Sequence, residues 1–461
     1  MVKIAPFRGV VYNNREIEAY GGLLTSPPYD VLSSELRQEY LSCHPNNFLH
    51  LDYGEVLPED SNPMAWHERA ASTLSHWLSE GVLVRRSKPS VALIDTDWVH
   101  PLNGRRMTRH GLVCLMRLEE SGKFSRVRPH EKTFSYHKVE RLDLMEKTGA
   151  QLSPVFGFFP DPDSHFLKMI FDLLRTDPDA SFQEKSGFNQ QITFIQNLKS
   201  LKAIVKALDD VTVYIADGHH RYETALKYRR DQLARLEKND QKPAENSAID
   251  YVLVYLCPMS DPGLCVLPTH RVLSSLDMTD KEIIQAFKPF ADIKCRPFDG
   301  RNREAVQLAL SKKLLEDDKK GLKVFGLFLR DEDKYYFVKI KEKVREEIIK
   351  QNPQEADLNG LDVSILTNVI FHKALGLNET DMDDPERIVY YSSIEPAYSA
   401  VADRGARAAF IMNPTRLDEI IRVSESGQVM PRKATYFYPK VSSGLVFNLI
   451  DPMESIIDFD D

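Results

Sequence analysis

The residues best suited to chemistry stand together in one short stretch, Asp217-Gly218-His219-His220-Arg221. Histidine and arginine side chains donate hydrogen bonds to oxyanions, and a glycine lets a ligand approach the backbone closely. This composition is typical of a phosphate or carboxylate site. The alternative is an ordinary Asp-Gly turn whose polar side chains only face water. We favour the ligand site because a purely structural turn needs none of the three basic side chains.

The flanking residues predict how this stretch is held. Val211 to Ala216 is a short apolar run rich in β-branched residues, which predicts a buried strand. After Gly218, apolar residues recur at helical spacing, which predicts a helix from His219 to about Leu236. The basic residues would then lie in the first helical turn. The unpaired N–H groups and the dipole of a helix favour an anion at that end.

A second candidate segment is His130-Glu131-Lys132-Thr133-Phe134. Glu131 and Lys132 offer a proton acceptor and a cation side by side, which suits acid–base work or phosphate binding. The same residues are equally suited to a solvated loop, and the sequence does not decide between these interpretations.

A third candidate is the pair His270-Arg271, which follows the apolar residues Cys265-Val266-Leu267. We expect the pair at a strand end, where it either contacts phosphate or is merely solvated. If both sets of basic residues serve one anion, His270 or Arg271 should face the same cleft as His219 and Arg221. Two strands of one sheet that end on one edge would bring them together.

The composition of the whole chain narrows the class of protein. Its 461 residues allow two or three domains, and 42% hydrophobic with 28% charged residues is ordinary for a soluble globular protein. A net charge of −8 argues against a general nucleic-acid binder. The five cysteines are scattered without a CxxC pair, and we find neither a signal peptide nor a membrane span. We therefore expect a reduced, cytoplasmic protein with no membrane partner.

The remaining chain is organised around these segments. Tyr29 and Asp30, in a proline-rich extended stretch, either line a pocket or form a structural loop. Asn103-Gly104 between two apolar runs predicts a hairpin. The charged stretch from Lys341 to Asp357 is the best candidate for a linker. Lys433 and Lys440, near the end, either reach an anion or pack with their charges in solvent.

Seven motifs in one order carry a family resemblance over nearly the whole chain. They are APFRG from Ala5, SPPYDV from Ser26, HEKTF from His130, SPVFGFF from Ser153, YIADGHHRYETAL from Tyr214, LPTHRV from Leu267, and MPRKATYFYPK with GLV from Met430. In these motifs the sequence resembles the bacterial and archaeal unknown-function family 1015. Within the wider group, DGHHR is similar to the nucleotide-binding motif of the ParB/sulfiredoxin-like fold.

That resemblance implies a mixed α/β (α+β) protein. The expected organisation is a ParB/sulfiredoxin-like nucleotide-binding core at 151–300, an N-terminal α+β region at 1–150 and a C-terminal α/β region at 301–461. Shorter relatives with DGHHR are free-serine kinases, which make O-phosphoserine from L-serine and ADP or ATP. Sulfinic-acid reduction is not expected, because His219 stands where sulfiredoxin has its cysteine.

The resemblance also implies roles for the candidate residues in a kinase. Gly218 and His219 would hold the transferring phosphate, and Arg221 would bridge two of its oxygens as a planar fork. Asp217 would bind Mg²⁺ or the ammonium of an amino acid. The base that orients the acceptor hydroxyl would be Glu131, with His220 in reserve. Lys132, His270 and Arg271 would add phosphate contacts.

Three functions remain open at this point. The leading one is phosphate transfer from ADP or ATP to L-serine or a similar small molecule. The second is a ParB-like regulatory switch that binds a nucleotide such as CTP without turnover. The third is a hydrolase acting on a phosphate ester. The serine kinases have their catalytic glutamate upstream of DGHHR, and both Glu131 and Glu184 lie upstream here.

Overall fold

The chain is a mixed α/β protein, as predicted. The computed structural model describes residues 2–459 except 61, 121, 123–124, 132–134, 175–176, 299, 332 and 458. The chain forms two compact units. The first comprises Met1–Pro129, Thr133–Cys265 and Pro439–Asp461, and the second comprises His130–Lys132 and Val266–Tyr438. These bounds differ from the three regions expected from the sequence, because the division at Cys265 falls inside 151–300.

The strands of the described residues are numbered here in chain order. They are β1 Ile4–Ala5, β2 Val10–Tyr12, β3 Leu83–Arg85, β4 Val91–Val99, β5 Arg106–Arg117, β6 Val127–Arg128, β7 Ala150–Gln151, β8 Val155–Phe159, β9 Ala180–Gln183, β10 Asn189–Ile195, β11 Val213–Asp217, β12 Tyr251–Pro258, β13 Cys265–Leu267, β14 His270–Leu273, β15 Ala291–Pro297, β16 Val324–Leu329, β17 Lys334–Ile340, β18 Ile388–Tyr391, β19 Ala408–Ile411, β20 Tyr436–Tyr438 and β21 Asn448–Leu449.

The α-helices are numbered in the same way. They are α1 Asn14–Leu24, α2 Ser34–Cys43, α3 Leu49–Asp52, α4 Trp66–Ser79, α5 Ser135–Thr148, α6 His165–Leu173, α7 Leu198–Leu208, α8 His219–Lys238, α9 Asp280–Phe287, α10 Arg303–Asp318, α11 Glu342–Gln351, α12 Ala356–Asn359, α13 Asp362–Ile365, α14 Glu379–Asp383, α15 Ile394–Ala402 and α16 Leu417–Glu425. Short 3₁₀ turns span Tyr29–Val31, Ala248–Asp250 and Pro353–Glu355, and a π-helix spans Leu366–Ala374. Within the part of the chain that is described, no helix has both the length and the apolar character that a membrane crossing demands.

The first unit is built on a large sheet with the strand order β6-β11-β8-β12-β5-β4-β10-β9, and β1 pairs with β5. Strand β11 lies between β6, to which it is parallel, and β8, to which it is antiparallel. Val213 and Ile215 of β11 share a core cluster with Tyr222, Ala225 and Leu226 of α8. Alternate residues of β11 and the helically spaced apolar residues of α8 are therefore buried in one common apolar cluster.

Two predictions for the first unit are confirmed by its pairing. The predicted strand before Asp217 and the helix after Gly218 are β11 and α8. The predicted hairpin around Asn103-Gly104 is the antiparallel pair β4–β5, in which Val99 lies opposite Arg106. Gly104 has a φ of +68°, which suits a glycine in a tight turn.

The second unit has its own sheet, in the order β15-β17-β16-β19-β14-β18. Its core includes Val272 of β14 and Phe328 of β16. Strand β14 carries His270 and Arg271, so the expectation that these residues share one sheet with Asp217 is wrong. The predicted linker is also wrong, because helix α11 occupies it and buries Val344 and Ile348.

Candidate functional site

The candidate site in the first unit is the turn between β11 and α8. Strand β11 ends at Asp217, and its register with β8 shifts between Ile215 and Asp217. Such irregularities bend a strand and redirect its side chains. Gly218 precedes the first helical residue, His219, and offers no side chain to cap the helix. The local sequence thus ends the strand and starts the helix within two residues.

Two physical features favour glycine at position 218. Its φ of +87° lies in the left-handed region, which a residue with a Cβ adopts only at a cost. A Cβ built there would also lie 2.8 Å from Nε of Arg221 and 2.9 Å from its Cζ. The absence of a side chain therefore allows the Arg221 guanidinium to lie directly against the turn.

The Asp217 carboxylate accepts hydrogen bonds from two cations. Arg221 Nη2 donates to Oδ2 at 2.5 Å, and Lys440 Nζ donates to Oδ1. All three side chains are at least four-fifths buried. Burial on its own raises the pKa of Asp217, but the charges of Lys440 and Arg221 outweigh it and hold the pKa well below the usual range. Asp217 is therefore ionised and paired at neutral pH.

Arg221 is held by the backbone as well as by Asp217. Its Nη1 donates to the carbonyl of Pro154, so both ends of the guanidinium fork are engaged. Among the described residues, Nε has no hydrogen-bond partner. The predicted two-oxygen contact of Arg221 with phosphate thus requires the fork to exchange one of its present partners.

The two histidines of the turn differ in exposure. His219 is only 4% exposed and lies close enough to Asp217 to lower the pKa of that carboxyl further. His220 is half-buried. Of the two, His220 is therefore the more accessible to a ligand, and His219 is largely enclosed by the fold.

The segment from Pro439 to Ser443 completes the site in the first unit. Arg109, which is fully buried, donates to the carbonyl of Pro439. Ser442 donates to Glu184 at 2.9 Å, and Ser443 donates to Asp52 at 2.9 Å. These bonds fix the backbone on both sides of Lys440. Sequence reasoning left the role of Lys440 open, and the only signal was its place in the closing family motif.

Glu184, the other glutamate upstream of the turn, lies in the first unit and is buried. Its carboxylate accepts hydrogen bonds from Ser442, Ser186 and Gln190. Burial raises its pKa, and these three hydrogen bonds oppose the rise. Glu184 is thus a buried anchor of the closing segment, with its oxygens already engaged.

Three other predicted residues, Glu131, His270 and Arg271, belong to the second unit. Glu131 is half-buried and pairs with Met430 in an isolated bridge. His270 and Arg271 are buried, and burial lowers the pKa of His270 to about 3. Arg271 donates to the hydroxyl of Thr269 at 2.8 Å. Lys132 lies outside the described residues. The roles of these four residues therefore stay predictions.

The turn does not offer an open magnesium site at Asp217. Mg²⁺ needs carboxylate oxygens that are free to coordinate it, and both oxygens of Asp217 accept from cations. Over the described ranges, no group of three or more His, Cys, Asp or Glu residues is arranged to hold a metal ion. The present arrangement suits a bound anion better than a bound cation.

The family prediction is confirmed by comparison with family models. The chain belongs to the family described as "Protein of unknown function (DUF1015)", whose model matches residues 4–364. That span contains the turn at Asp217 and the candidate residues of the second unit, whereas Lys440 lies beyond it. No curated protein matches the chain.

Solved structures give a distant likeness. A free serine kinase variant in complex with AMP is 11% identical over 68% of this chain and 84% of that chain, with a TM-score of 0.32. A conserved hypothetical protein from Pyrococcus furiosus is 13% identical over 68% and 89%, with a TM-score of 0.29. C-terminally truncated SbnI from Staphylococcus aureus is 9% identical over 70% and 80%, with a TM-score of 0.28. Likenesses this low do not bear on the chemistry of the site.

Proposed function

We propose that the protein is a phosphotransferase that moves phosphate from ADP or ATP to the hydroxyl of L-serine or a similar small molecule. The observation that carries the proposal is the convergence of Arg221 and Lys440 on Asp217 at the start of α8. Two cations share one carboxylate, so positive charge remains beside a helix terminus that itself favours anions. The choice of a kinase rests on the resemblance of the DGHHR motif to that of free-serine kinases.

Phosphoryl transfer suits such a site because it depends mainly on positioning and charge neutralisation. In the proposed step, the acceptor hydroxyl oxygen attacks the terminal phosphorus of the nucleotide. A new P–O bond forms while the bond to the leaving AMP or ADP breaks, and the hydroxyl proton passes to a carboxylate. Lys440 and Arg221 would stabilise the charge on the phosphate oxygens.

The other predicted residues keep their proposed roles in this step. Gly218 and His219 would hold the transferring phosphate at the start of α8. Glu131 would accept the hydroxyl proton, with His220 in reserve. Lys132, His270 and Arg271 would add phosphate contacts.

The test is phosphoserine formation by the purified full chain. L-Serine is incubated with ADP or ATP, with and without Mg²⁺, and phosphoserine is measured by mass spectrometry. We expect the wild type to form phosphoserine. In Arg221→Ala the rate should fall by roughly a hundredfold or more, which is the effect of losing one charge-assisted contact to the transition state. Glu131→Gln asks whether that carboxylate is the base, and we expect a comparable loss.

Other outcomes assign the site to another class of protein. Folded wild-type protein that makes no phosphoserine, yet binds CTP or ATP tightly, is a nucleotide-binding switch. Release of free phosphate from a phosphate ester without transfer to serine identifies a hydrolase. Unchanged binding and turnover in Arg221→Ala places the active site elsewhere.

A further inference from the structure

A small cavity lies next to Arg221 in the first unit. Its volume is about 40 Å³, and its polar lining includes Tyr29, Asp52, Arg141, Arg221 and Thr224. The guanidinium of Arg141 stacks on the ring of Tyr29, with its carbon 4.0 Å from the ring centre. The cavity is thus lined by charged and polar groups in a region that is otherwise packed.

Three of these lining residues have buried donors that make no hydrogen bond within the described part of the protein. They are Arg141 Nε, Arg221 Nε and the hydroxyl of Thr224, a residue only 1% exposed. Leaving a buried polar group unpaired costs about 1–3 kcal/mol. Three such groups around one cavity therefore indicate a ligand that supplies acceptor oxygens.

The unused donors around the cavity suit an anionic ligand, and each cation of the lining also pairs with a carboxylate. Arg141 and Arg221 are cations, and among the lining residues Asp52 is the only acid. The Asp52 carboxylate is already engaged, because it accepts from Arg141 Nη1 at 3.2 Å and from Ser153 at 2.7 Å. Glu140 also accepts from Arg141 Nη2 at 2.9 Å, so the two carboxylates pair with the terminal nitrogens of Arg141 and leave its Nε donor unused.

We propose that this cavity binds the carboxylate group of the acceptor molecule, an inference that rests on the proposed phosphotransferase function. One carboxylate oxygen would accept from Arg141 Nε and the other from the Thr224 hydroxyl. A substrate with a carboxylate and a hydroxyl a few bonds apart fits this arrangement. The substrate class is thus a small hydroxylated carboxylic acid, of which L-serine is an example.

The size and place of the cavity support this assignment. A cavity needs about 10–15 Å³ to hold one water molecule, so this one has room for about three, or for a carboxylate group and little more. Arg221 lines the cavity and also donates to Asp217 in the phosphate turn. A carboxylate bound here would leave the rest of the acceptor next to the turn at which phosphate is proposed to bind.

The binding experiment uses the full chain without nucleotide. L-Serine, 3-hydroxypropionate, ethanolamine and inorganic phosphate are titrated by calorimetry. L-Serine and 3-hydroxypropionate carry both a carboxylate and a hydroxyl, and we expect both to bind. Ethanolamine lacks the carboxylate and should not bind. Binding of ethanolamine as tight as that of serine overturns the proposal. Binding of phosphate, but of neither L-serine nor 3-hydroxypropionate, also overturns it.

Thr224→Val is the most informative variant because it removes the hydroxyl but keeps the side-chain shape. A purely structural role predicts unchanged ligand binding and equal or higher stability, since an unpaired buried hydroxyl is removed. We expect the same or a higher melting temperature. Binding of L-serine should be about tenfold weaker, because one hydrogen bond to the ligand is lost. Arg141→Lys, which keeps the charge but loses Nε, should weaken binding similarly.

Ser364→Ala is the matched control. Ser364 is buried in the second unit, and its hydroxyl also has no partner among the described residues. It does not line the cavity, so serine binding should not change. If Thr224→Val and Ser364→Ala alter binding equally, the cavity is not the carboxylate site.

Kinetics separate a failure of this inference from a failure of the proposed function. If the wild type makes no phosphoserine, but Thr224→Val still weakens serine binding, the kinase fails and the carboxylate site stands. If phosphoserine forms and both Thr224→Val and Arg141→Lys leave the KM for serine unchanged, the kinase stands and the carboxylate site fails. We expect KM to rise in both variants.

Discussion

Lys440 and Asp217 are 223 residues apart in the sequence, and the ammonium of Lys440 donates directly to Oδ1 of Asp217. The second carboxylate oxygen accepts from Arg221 at 2.5 Å. The closing segment of the chain thus supplies one of the two cations at the candidate phosphate turn. Removing that cation should change both the charge of the site and the way stability depends on pH.

Lys440→Met tests this pairing through the free energy of unfolding. The pKa of Asp217 is depressed in the folded protein, with burial opposing and Lys440 and Arg221 causing the shift. Such a carboxyl stabilises the fold above its unfolded pKa of about 4, and the contribution is lost as pH falls through the folded pKa. We expect Lys440→Met to cost about 1–3 kcal/mol at pH 7, and less as the pH drops below about 4.

Urea denaturation between pH 3 and pH 7 measures this difference. Lys433→Met is the control, because Lys433 is an exposed lysine in the same closing family motif. Its effect should be small at every pH. A cost for Lys440→Met that does not change with pH would show that the lysine stabilises the fold by packing rather than by pairing with Asp217.

Gly218→Ala tests the close approach of Arg221 to the turn. The substitution adds strain, because φ is +87°, and it places a Cβ 2.8 Å from Arg221 Nε. Positive φ alone costs an alanine about 1–2 kcal/mol. We expect a larger loss of unfolding free energy than this, together with a loss of nucleotide binding as Arg221 is displaced.

Gly187→Ala isolates the backbone strain from the collision. Gly187 has a φ of +88°, nearly that of Gly218, and no described atom lies within 4 Å of a Cβ built there. Nucleotide binding should be intact in this variant. Equal losses of stability in the two variants, with nucleotide binding retained in both, would mean that Arg221 is not held against the turn.

Local sequence was sufficient to predict the turn. The switch from a buried apolar run to helical spacing at Asp217 predicted both β11 and α8, with Gly218 in the turn between them. Such features depend on neighbouring residues, whose preferences all favour the same structure. Asn103-Gly104 predicted its hairpin for the same reason.

The partners of the turn could not be predicted in this way, because they come from distant segments. Pro154 and Lys440 meet Arg221 and Asp217 only through the folded sheet, and no periodicity links them. The error at Lys341–Asp357 has a different cause. The many charges of this stretch suggested a linker. Helix α11 nevertheless packs, because its two buried apolar residues, Val344 and Ile348, are enough to form a buried face.

Arg221→Ala should reduce phosphoserine formation by roughly a hundredfold or more, because a phosphate charge in a closed site loses a strong donor. Arg221→Lys should recover only part of the rate, since lysine restores the charge but not the planar fork.

Arg229→Ala is a matched control on the same helix. It removes an ion pair with Asp250 at 2.6 Å, away from the turn, and should leave the rate unchanged. If Arg229→Ala lowers the rate as much as Arg221→Ala, the effect is due to α8 as a whole.

Asp52 joins three distant parts of the first unit, and Asp52→Asn should destabilise it strongly. Its carboxylate accepts from Arg141, Ser153 and Ser443, and the pair with Arg141 is almost fully buried. Asparagine keeps the shape and an acceptor oxygen but leaves the buried charge of Arg141 with less compensation. Removing one partner of a buried ion pair costs about 3–5 kcal/mol, and because Glu140 also pairs with Arg141 at 2.9 Å we expect the lower end of that range. Ser443→Ala, which removes one hydroxyl from the same carboxylate, should cost only about 1 kcal/mol. Urea denaturation of both variants at pH 7 gives the comparison. Equal costs for the two variants would show that the charge of Asp52 contributes nothing beyond an ordinary hydrogen bond.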